Sequence, residues 1–258
     1  MGSLRKIIKE ELKDVAEVVH PEDINLSSFK MRRILNPKIW ESDDKIDPDV
    51  RKVLLKIADD FMDFLDVAWV KPTDITMTGS LANYNWSAYS DIDLHILFDF
   101  KEINENEELV RDFMDSKKKI WNDTHNVKIY GFEVELYGQD INQEHHSSGV
   151  FSLENNEWVT KPNHSEPDLN RKKIKDKASD IMSKIDDIID LFQQGEYQKV
   201  LDEYEKLWDK VKKMRKAGLE GEGEFSYENM VYKVLRRTEY IDKLNEIKVK
   251  SYDALNSM

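Results

Sequence analysis

Two aspartates two positions apart, preceded by a Gly-Ser pair, are the residues of this chain best suited to chemistry. Ten residues separate Gly79-Ser80 from Asp91-Ile92-Asp93. Along a strand, residues i and i+2 share a face and lie roughly 6.6 Å apart. Neighbouring carboxylates repel each other unless a cation compensates. A pair of Mg²⁺ ions roughly 3.5–4 Å apart, held by carboxylates, is a recurring device for phosphoryl transfer.

The opposing interpretation is a strand end that enters solvent, with both carboxylates hydrated. The residues after Asp91 favour a buried strand instead, because they are apolar at nearly every position: Ile92, Leu94, Ile96, Leu97 and Phe98. His95 would share the face of the aspartates. Since Mg²⁺ prefers oxygen ligands, we expect a supporting role for this histidine.

A third carboxylate is predicted on a second strand. Glu133 and Glu135 alternate there with Phe132, Val134 and Leu136. Either glutamate could complete a metal site with the aspartates, and Glu135 is preferred because it lies deeper in the apolar run. A solvated edge strand is the alternative for an isolated Glu-x-Glu.

The Gly79-Ser80 pair has a mechanical interpretation of its own. Glycine allows a sharp turn and lets a phosphate approach the backbone closely. If a short helix begins here, its free N–H groups attract an anion. The Ser80 hydroxyl would add a donor to a phosphate oxygen, so we predict that both residues bind nucleotide phosphates.

The surrounding pattern predicts an α/β (α+β) fold in which a small mixed sheet carries the acids. Helical periodicity indicates an amphipathic helix over 4–19, a helix that begins near Asp47-Pro48, and a helix over 105–121. The residues expected to face inward on this last helix are Leu109, Phe113, Ile120 and Trp121. Strands are expected at 75–78, 91–98, 127–130 and 132–137, with a hairpin over 149–160.

From residue 168 onward the period is 3.6, which predicts helices at 168–193, 196–217 and 226–256. The expected organisation is therefore an N-terminal helical segment (1–45), a core with the sheet (46–165) and a C-terminal helical bundle (166–258).

Composition narrows the class of protein. No apolar run approaches the roughly 20 residues of a membrane span, and the absence of cysteine excludes disulfides and thiolate metal sites. We therefore expect a cytoplasmic protein with no membrane partner.

The net charge of −13 lies mostly in residues 1–165, which carry 32 acidic and 20 basic side chains. This acidic excess argues against indiscriminate nucleic-acid binding. The segment 210–216 is strongly basic, and Lys212 and Lys213 could contact a triphosphate or RNA backbone, or could form a solvated face.

Taken together, Gly79-Ser80, Asp91-Ile92-Asp93 and the later glutamate strand resemble the polymerase-β-like nucleotidyltransferase superfamily. The resemblance implies a mixed α/β palm, an NTP such as ATP, two Mg²⁺ (or Mn²⁺) ions, and in-line attack of a hydroxyl on the α-phosphate. Asp91 and Asp93 would hold the metals, and Glu135 or Glu133 would be the third acid.

The subfamily stays open. Minimal antitoxin-type enzymes are similar at the motif but carry Ala-Arg-Gly where this chain has Leu81-Ala82-Asn83, and they are much shorter. The long helical part looks more like oligoadenylate-synthase, cyclic-dinucleotide-synthase, tRNA-modifying or poly(A)-polymerase enzymes. We expect transfer of NMP to a hydroxyl of an RNA 3′ end (tRNA included), a second nucleotide or a protein. The alternative is an inactive nucleotide-binding or partner-binding protein that retains the fold.

Overall fold

The computed structural model describes residues 20–143, 147–164 and 169–257. The helix predicted at 4–19 lies outside the described residues. The chain forms two compact units, one of residues 27–166 and one that joins 1–26 to 167–258. Within the part of the chain that the structure describes, no helix is long and apolar enough to span a bilayer.

The first unit contains the mixed sheet that the sequence predicts. Its six strands are β3 (Asp74–Thr78), β4 (Ile92–Phe98), β5 (Lys128–Ile129), β6 (Phe132–Asp140), β7 (Val150–Ser152) and β8 (Glu157–Thr160), in the order β5-β6-β4-β3-β7-β8. The neighbours β4 and β6 are parallel, and all other pairs in the sheet are antiparallel. The α+β class is therefore confirmed.

Two long helices accompany this sheet, α1 (Pro48–Leu65) and α3 (Glu107–Thr124), with the short α2 (Phe100–Ile103) before α3. The start of α1 follows from Asp47, whose side chain accepts hydrogen bonds from the N–H groups of Asp49 and Val50. The burial of β4 alternates strictly, because every second residue is fully buried while the residues between them, Asp93, His95 and Leu97, are partly exposed. One face of β4 therefore belongs to the core and the other carries Asp93 and His95.

The inward stripe of α3 differs in part from the prediction. Trp121 is buried as predicted and Phe113 is partly buried against the core. Leu109 and Ile120 are 57% and 51% exposed, and the helix buries Val110 and Met114 in their place. The ring of Trp121 packs edge-on against Phe61 of α1, with 5.4 Å between ring centroids. Packing against a particular neighbour sets the rotation of a helix, and two overlapping apolar stripes cannot be told apart by periodicity alone.

Residues 27–45, assigned from the sequence to a helical segment, lie in the same unit as the sheet. They contain a single 3₁₀ turn at Ser27–Phe29 and a small hairpin, β1 (Trp40–Ser42) with β2 (Lys45–Ile46). The Trp40 ring stacks on Trp158 of β8 at 4.7 Å between centroids.

The second unit contains four helices in its described part, where the sequence predicted three: α4 (Arg171–Gln194), α5 (Tyr197–Gly221), α6 (Tyr227–Arg237) and α7 (Tyr240–Asn256). The predicted helix over 226–256 is interrupted at Thr238-Glu239, where Glu239 adopts φ +61°. A positive φ cannot continue a right-handed helix, so the chain turns between α6 and α7.

Asp186 of α4 is a partly buried acid of this helical unit whose carboxyl group is incompletely hydrogen-bonded. Its Oδ2 accepts a hydrogen bond from the Tyr240 hydroxyl at 3.3 Å, whereas its buried Oδ1 has no hydrogen-bond partner among the described residues. Burial, which outweighs the Tyr240 hydrogen bond, raises the pKa of Asp186 to about 6. The ionised form is therefore disfavoured in the folded state.

Candidate metal centre

Three carboxylates predicted from the sequence converge at one end of the β4–β6 pair. Asp91 immediately precedes β4, Asp93 lies within it, and the parallel register pairs Asp93 with Glu135 of β6. One carboxylate oxygen from each of the three lies within 4.8 Å of the other two. All three residues are partly buried. Parallel pairing is what brings together acids that are more than forty residues apart in the chain.

Glu133, the alternative third acid, lies outside this group. Its side chain is exposed and pairs with Lys128 of β5 at 2.8 Å. The hairpin register places these two residues opposite each other. Of the two glutamates, the structure therefore brings Glu135 to the aspartates.

Gly79 is required here for a reason that the sequence did not reveal. It follows β3 with φ +75° and ψ −161°, a combination that is essentially restricted to glycine. A Cβ atom at this position would fall on Oδ2 of Asp93. The missing side chain thus makes room for a carboxylate of the site itself, in addition to any phosphate.

The environment of Ser80 also differs from the expectation. The predicted helix after Gly79 is a 3₁₀ turn of three residues, Ser80–Ala82, too short to provide an appreciable helix dipole. The N–H of Gly79 already donates to the Ser147 hydroxyl at 3.2 Å. The Ser80 hydroxyl lies 2.7 Å from that of Ser90. Ser80 therefore ties the Gly-Ser turn to the residue just before Asp91.

A tryptophan far away in sequence anchors the same turn. The indole N–H of Trp40 donates to the carbonyl of Leu81 at 2.8 Å. Trp40 is almost fully buried against Phe151 and Trp158. The Gly-Ser turn is therefore held by packing as well as by its own hydrogen bonds.

Behind the carboxylates lies a row of side chains that sequence reasoning largely missed. The Tyr137 hydroxyl donates to Oε2 of Glu135 at 2.5 Å. Its ring stacks on His95, with 4.6 Å between centroids and an interplanar angle of 7°. The Nδ1 atom of His95 lies 2.6 Å from Oε1 of Gln139. His95 thus contacts residues next to the carboxylates, and its supporting role toward a metal stays a prediction. The Glu-x-Tyr-x-Gln spacing on β6 was the available signal for the other side chains of this row.

Burial, followed by the charges of Asp93 and Glu135, raises the pKa of Tyr137 well above its usual range. The phenol therefore stays protonated at any ordinary pH. It acts as a permanent hydrogen-bond donor to Glu135.

A pocket of about 300 Å³ has Glu135 in its wall. It is lined by residues 122–127 at the end of α3 and by residues 133–135 of β6. Asn122 in this wall both donates to the carbonyl of Leu136 and accepts from its N–H, at 3.4 and 3.2 Å. The side-chain amide thereby satisfies the edge of β6 where β5 has ended.

Lys212 and Lys213, predicted to bind nucleotide, lie on α5 of the helical unit. Both are exposed, and Lys213 forms an ion pair with Asp209 at 2.7 Å. An i, i+4 pair of this kind is typical of a solvated helix face. Their role toward a nucleotide stays a prediction.

The donor set of the three acids suits a hard divalent cation. Carboxylate oxygens are the ligands that Mg²⁺ and Mn²⁺ take in proteins. Three carboxylates so close together repel one another, and a cation between them relieves that repulsion. Asp91, Asp93 and Glu135 can therefore hold a divalent metal.

No known protein family and no curated protein matches the sequence. Among solved structures, the chain is 14% identical to a STING-associated CdnE c-di-GMP synthase from Capnocytophaga granulosa. The alignment covers 98% of this chain and 94% of that one, with a TM-score of 0.20. Such a TM-score does not establish a shared fold.

Proposed function

We propose that the protein is a metal-dependent nucleotidyltransferase that transfers NMP from an NTP to a hydroxyl acceptor and releases pyrophosphate. The observation that supports this most directly is the convergence of Asp91, Asp93 and Glu135 beside the Gly79 turn. Two Mg²⁺ or Mn²⁺ ions bound there would stabilise the attacking and leaving oxygens of an in-line displacement.

The residues of the chain would divide the work as follows. Asp91 and Asp93 would hold the ions, and the turn at Gly79-Ser80 would face the triphosphate. The acceptor oxygen would form a bond to the α-phosphorus while the bond to the pyrophosphate oxygen breaks. Glu135 would help to hold the ion next to the attacking hydroxyl, through the carboxylate oxygen that Tyr137 does not hold. That ion would lower the pKa of the hydroxyl, whose proton would leave to water.

The pocket beside Glu135 is where we place the acceptor. None of its nine lining residues is Lys or Arg. Because phosphate groups are usually bound by such cations, this wall favours an acceptor whose reactive end is an uncharged hydroxyl. A ribose at an RNA 3′ end, a second nucleotide and a protein side chain all satisfy this condition.

The test is an assay of the purified chain with each α-labelled NTP and Mg²⁺ or Mn²⁺, with and without total RNA. Pyrophosphate release and the mass of the labelled product are measured together. Loss of a metal ligand removes several kcal/mol of charge stabilisation, so we expect Asp93→Asn to lower the rate by about three orders of magnitude. Asp112→Asn, an exposed aspartate on α3, is the matched control and should retain the wild-type rate.

Activity that persists in Asp93→Asn, or in the presence of excess EDTA, would contradict the proposal. Binding of NTP and metal in calorimetry without turnover of any acceptor would instead identify an inactive nucleotide-binding protein.

A further inference from the structure

We infer that Tyr137 is a positioning residue that keeps Glu135 a one-oxygen ligand and thereby makes the centre select Mg²⁺ over the larger Ca²⁺. This inference rests on the proposed metal site, but it concerns which ion is bound and not whether a nucleotide is transferred.

The first support is the hydrogen bond itself. The Tyr137 hydroxyl lies 2.5 Å from Oε2 of Glu135, a short and charge-assisted contact. The two residues are i and i+2 on β6, so their side chains leave the same face of the strand. A carboxylate has two oxygens, and the phenol occupies one of them. Only Oε1 keeps its full capacity to bind an ion.

The second support is that two contacts hold the Tyr137 ring, so the phenol cannot follow the Glu135 carboxylate if that carboxylate rotates. The first contact is the parallel stack of the ring on His95. The ammonium of Lys118 on α3 lies 3.7 Å from the centroid of the same ring. His95 is in turn held by Gln139. These contacts come from both β4 and α3, and they fix the direction of the O–H donor.

The third support is the neighbouring acid. The carboxylate of Asp93 lies in the space that a side chain at Gly79 would fill. Before any ion arrives, Glu135 is thus held by a hydrogen bond and Asp93 lies closely against Gly79. A prearranged set of oxygens discriminates between ions better than a flexible one.

The consequence follows from the coordination chemistry of the two ions. Mg²⁺ requires near-octahedral geometry at 2.0–2.1 Å, and it keeps several waters beside one or two carboxylates. Ca²⁺ takes 6–8 oxygens at 2.3–2.6 Å and readily uses both oxygens of one carboxylate. A glutamate restricted to one oxygen therefore withholds a ligand that Ca²⁺ would use and Mg²⁺ does not need.

The experiment is isothermal titration of the full chain with MgCl₂ and with CaCl₂, in the absence of nucleotide, for the wild type and Tyr137→Phe. We expect Tyr137→Phe to tighten Ca²⁺ binding about 3- to 10-fold and to change Mg²⁺ binding less than about threefold. Tyr130→Phe is the matched control, because Tyr130 is an exposed tyrosine of the β5–β6 turn, and it should leave both affinities unchanged.

His95→Leu provides a second variant that leaves the phenol in place but removes its stacking partner, and we expect a smaller shift in the same direction. An unchanged Mg²⁺ to Ca²⁺ affinity ratio in folded Tyr137→Phe overturns the inference. If Tyr137→Phe does not fold, an unchanged ratio in His95→Leu overturns it. A shifted ratio in a chain that transfers no nucleotide supports the inference while refuting the proposed function.

Discussion

Replacement of Gly79 by alanine tests the geometry of the site most directly. The backbone at φ +75° and ψ −161° would cost an alanine about 1–3 kcal/mol. The new Cβ would also collide with Oδ2 of Asp93, so this carboxylate must leave its position in the group of three acids. A displacement of about 1 Å at a catalytic group can lower a rate about 100-fold.

Gly131→Ala is the matched control for this experiment. Gly131 also has a positive φ, +93°, but a Cβ there would meet no atom within 4 Å. We expect about 1–2 kcal/mol of destabilisation from the backbone alone, with metal affinity and transfer rate unchanged. Urea unfolding measures the stability of both variants, and Mn²⁺ titration and pyrophosphate release measure the site.

The two glycine variants should therefore be similar in stability and very different at the site. If Gly79→Ala bound metal and released pyrophosphate within threefold of Gly131→Ala, Asp93 would not lie against Gly79. The account of the carboxylate centre would then be refuted.

Two further predictions, one about the third acid and one about Asp186, have equally definite outcomes. Glu135→Gln should lower the rate of NMP transfer about 100-fold or more, measured as pyrophosphate release in the steady state. Glu133→Gln loses only an exposed ion pair and should change this rate less than about threefold. Comparable losses in the two variants would show that Glu135 is not the third acid. Asp186→Asn should stabilise the chain by about 1–2 kcal/mol at pH 7.5, a value discounted for partial exposure. The unfolded chain ionises Asp186 near 3.8 and the folded chain near 6, so folded wild type loses stability as pH rises through that interval. The stabilisation by Asp186→Asn should vanish near pH 3, where Asp186 is protonated in both states. Urea unfolding at pH 7.5 and at pH 3 measures it, and an equal stabilisation at both pH values would contradict the prediction.

The elements that the sequence predicts well are those whose pattern is local. Strand β4 has one fully buried face of apolar residues and one partly exposed face, which carries Asp93 and His95 together with Leu97. The start of α1 is equally local, since Asp47 caps the helix a few residues away. Patterns of this kind need no knowledge of distant neighbours.

Other features depend on partners that the local pattern does not contain. The rotation of α3 is set by contact with α1 and the sheet, so Leu109 and Ile120 point outward although they are apolar. The break at Thr238-Glu239 has no glycine or proline to announce it. The tryptophan that anchors the Gly-Ser turn, Trp40, comes from a segment that was expected to be separate from the sheet.

For the candidate site, the amino-acid sequence alone determined the spacing of Asp91 and Asp93 at the start of β4 and the presence of a later glutamate strand. Only the tertiary structure decided which glutamate meets them, because the parallel register of β4 and β6 aligns Glu135 with Asp93. The same register places Tyr137 beside His95. Spacing within one strand is fixed by backbone geometry, whereas alignment between strands depends on how the whole core packs. The kind of chemistry could therefore be predicted from the sequence, but the arrangement of the acids could not.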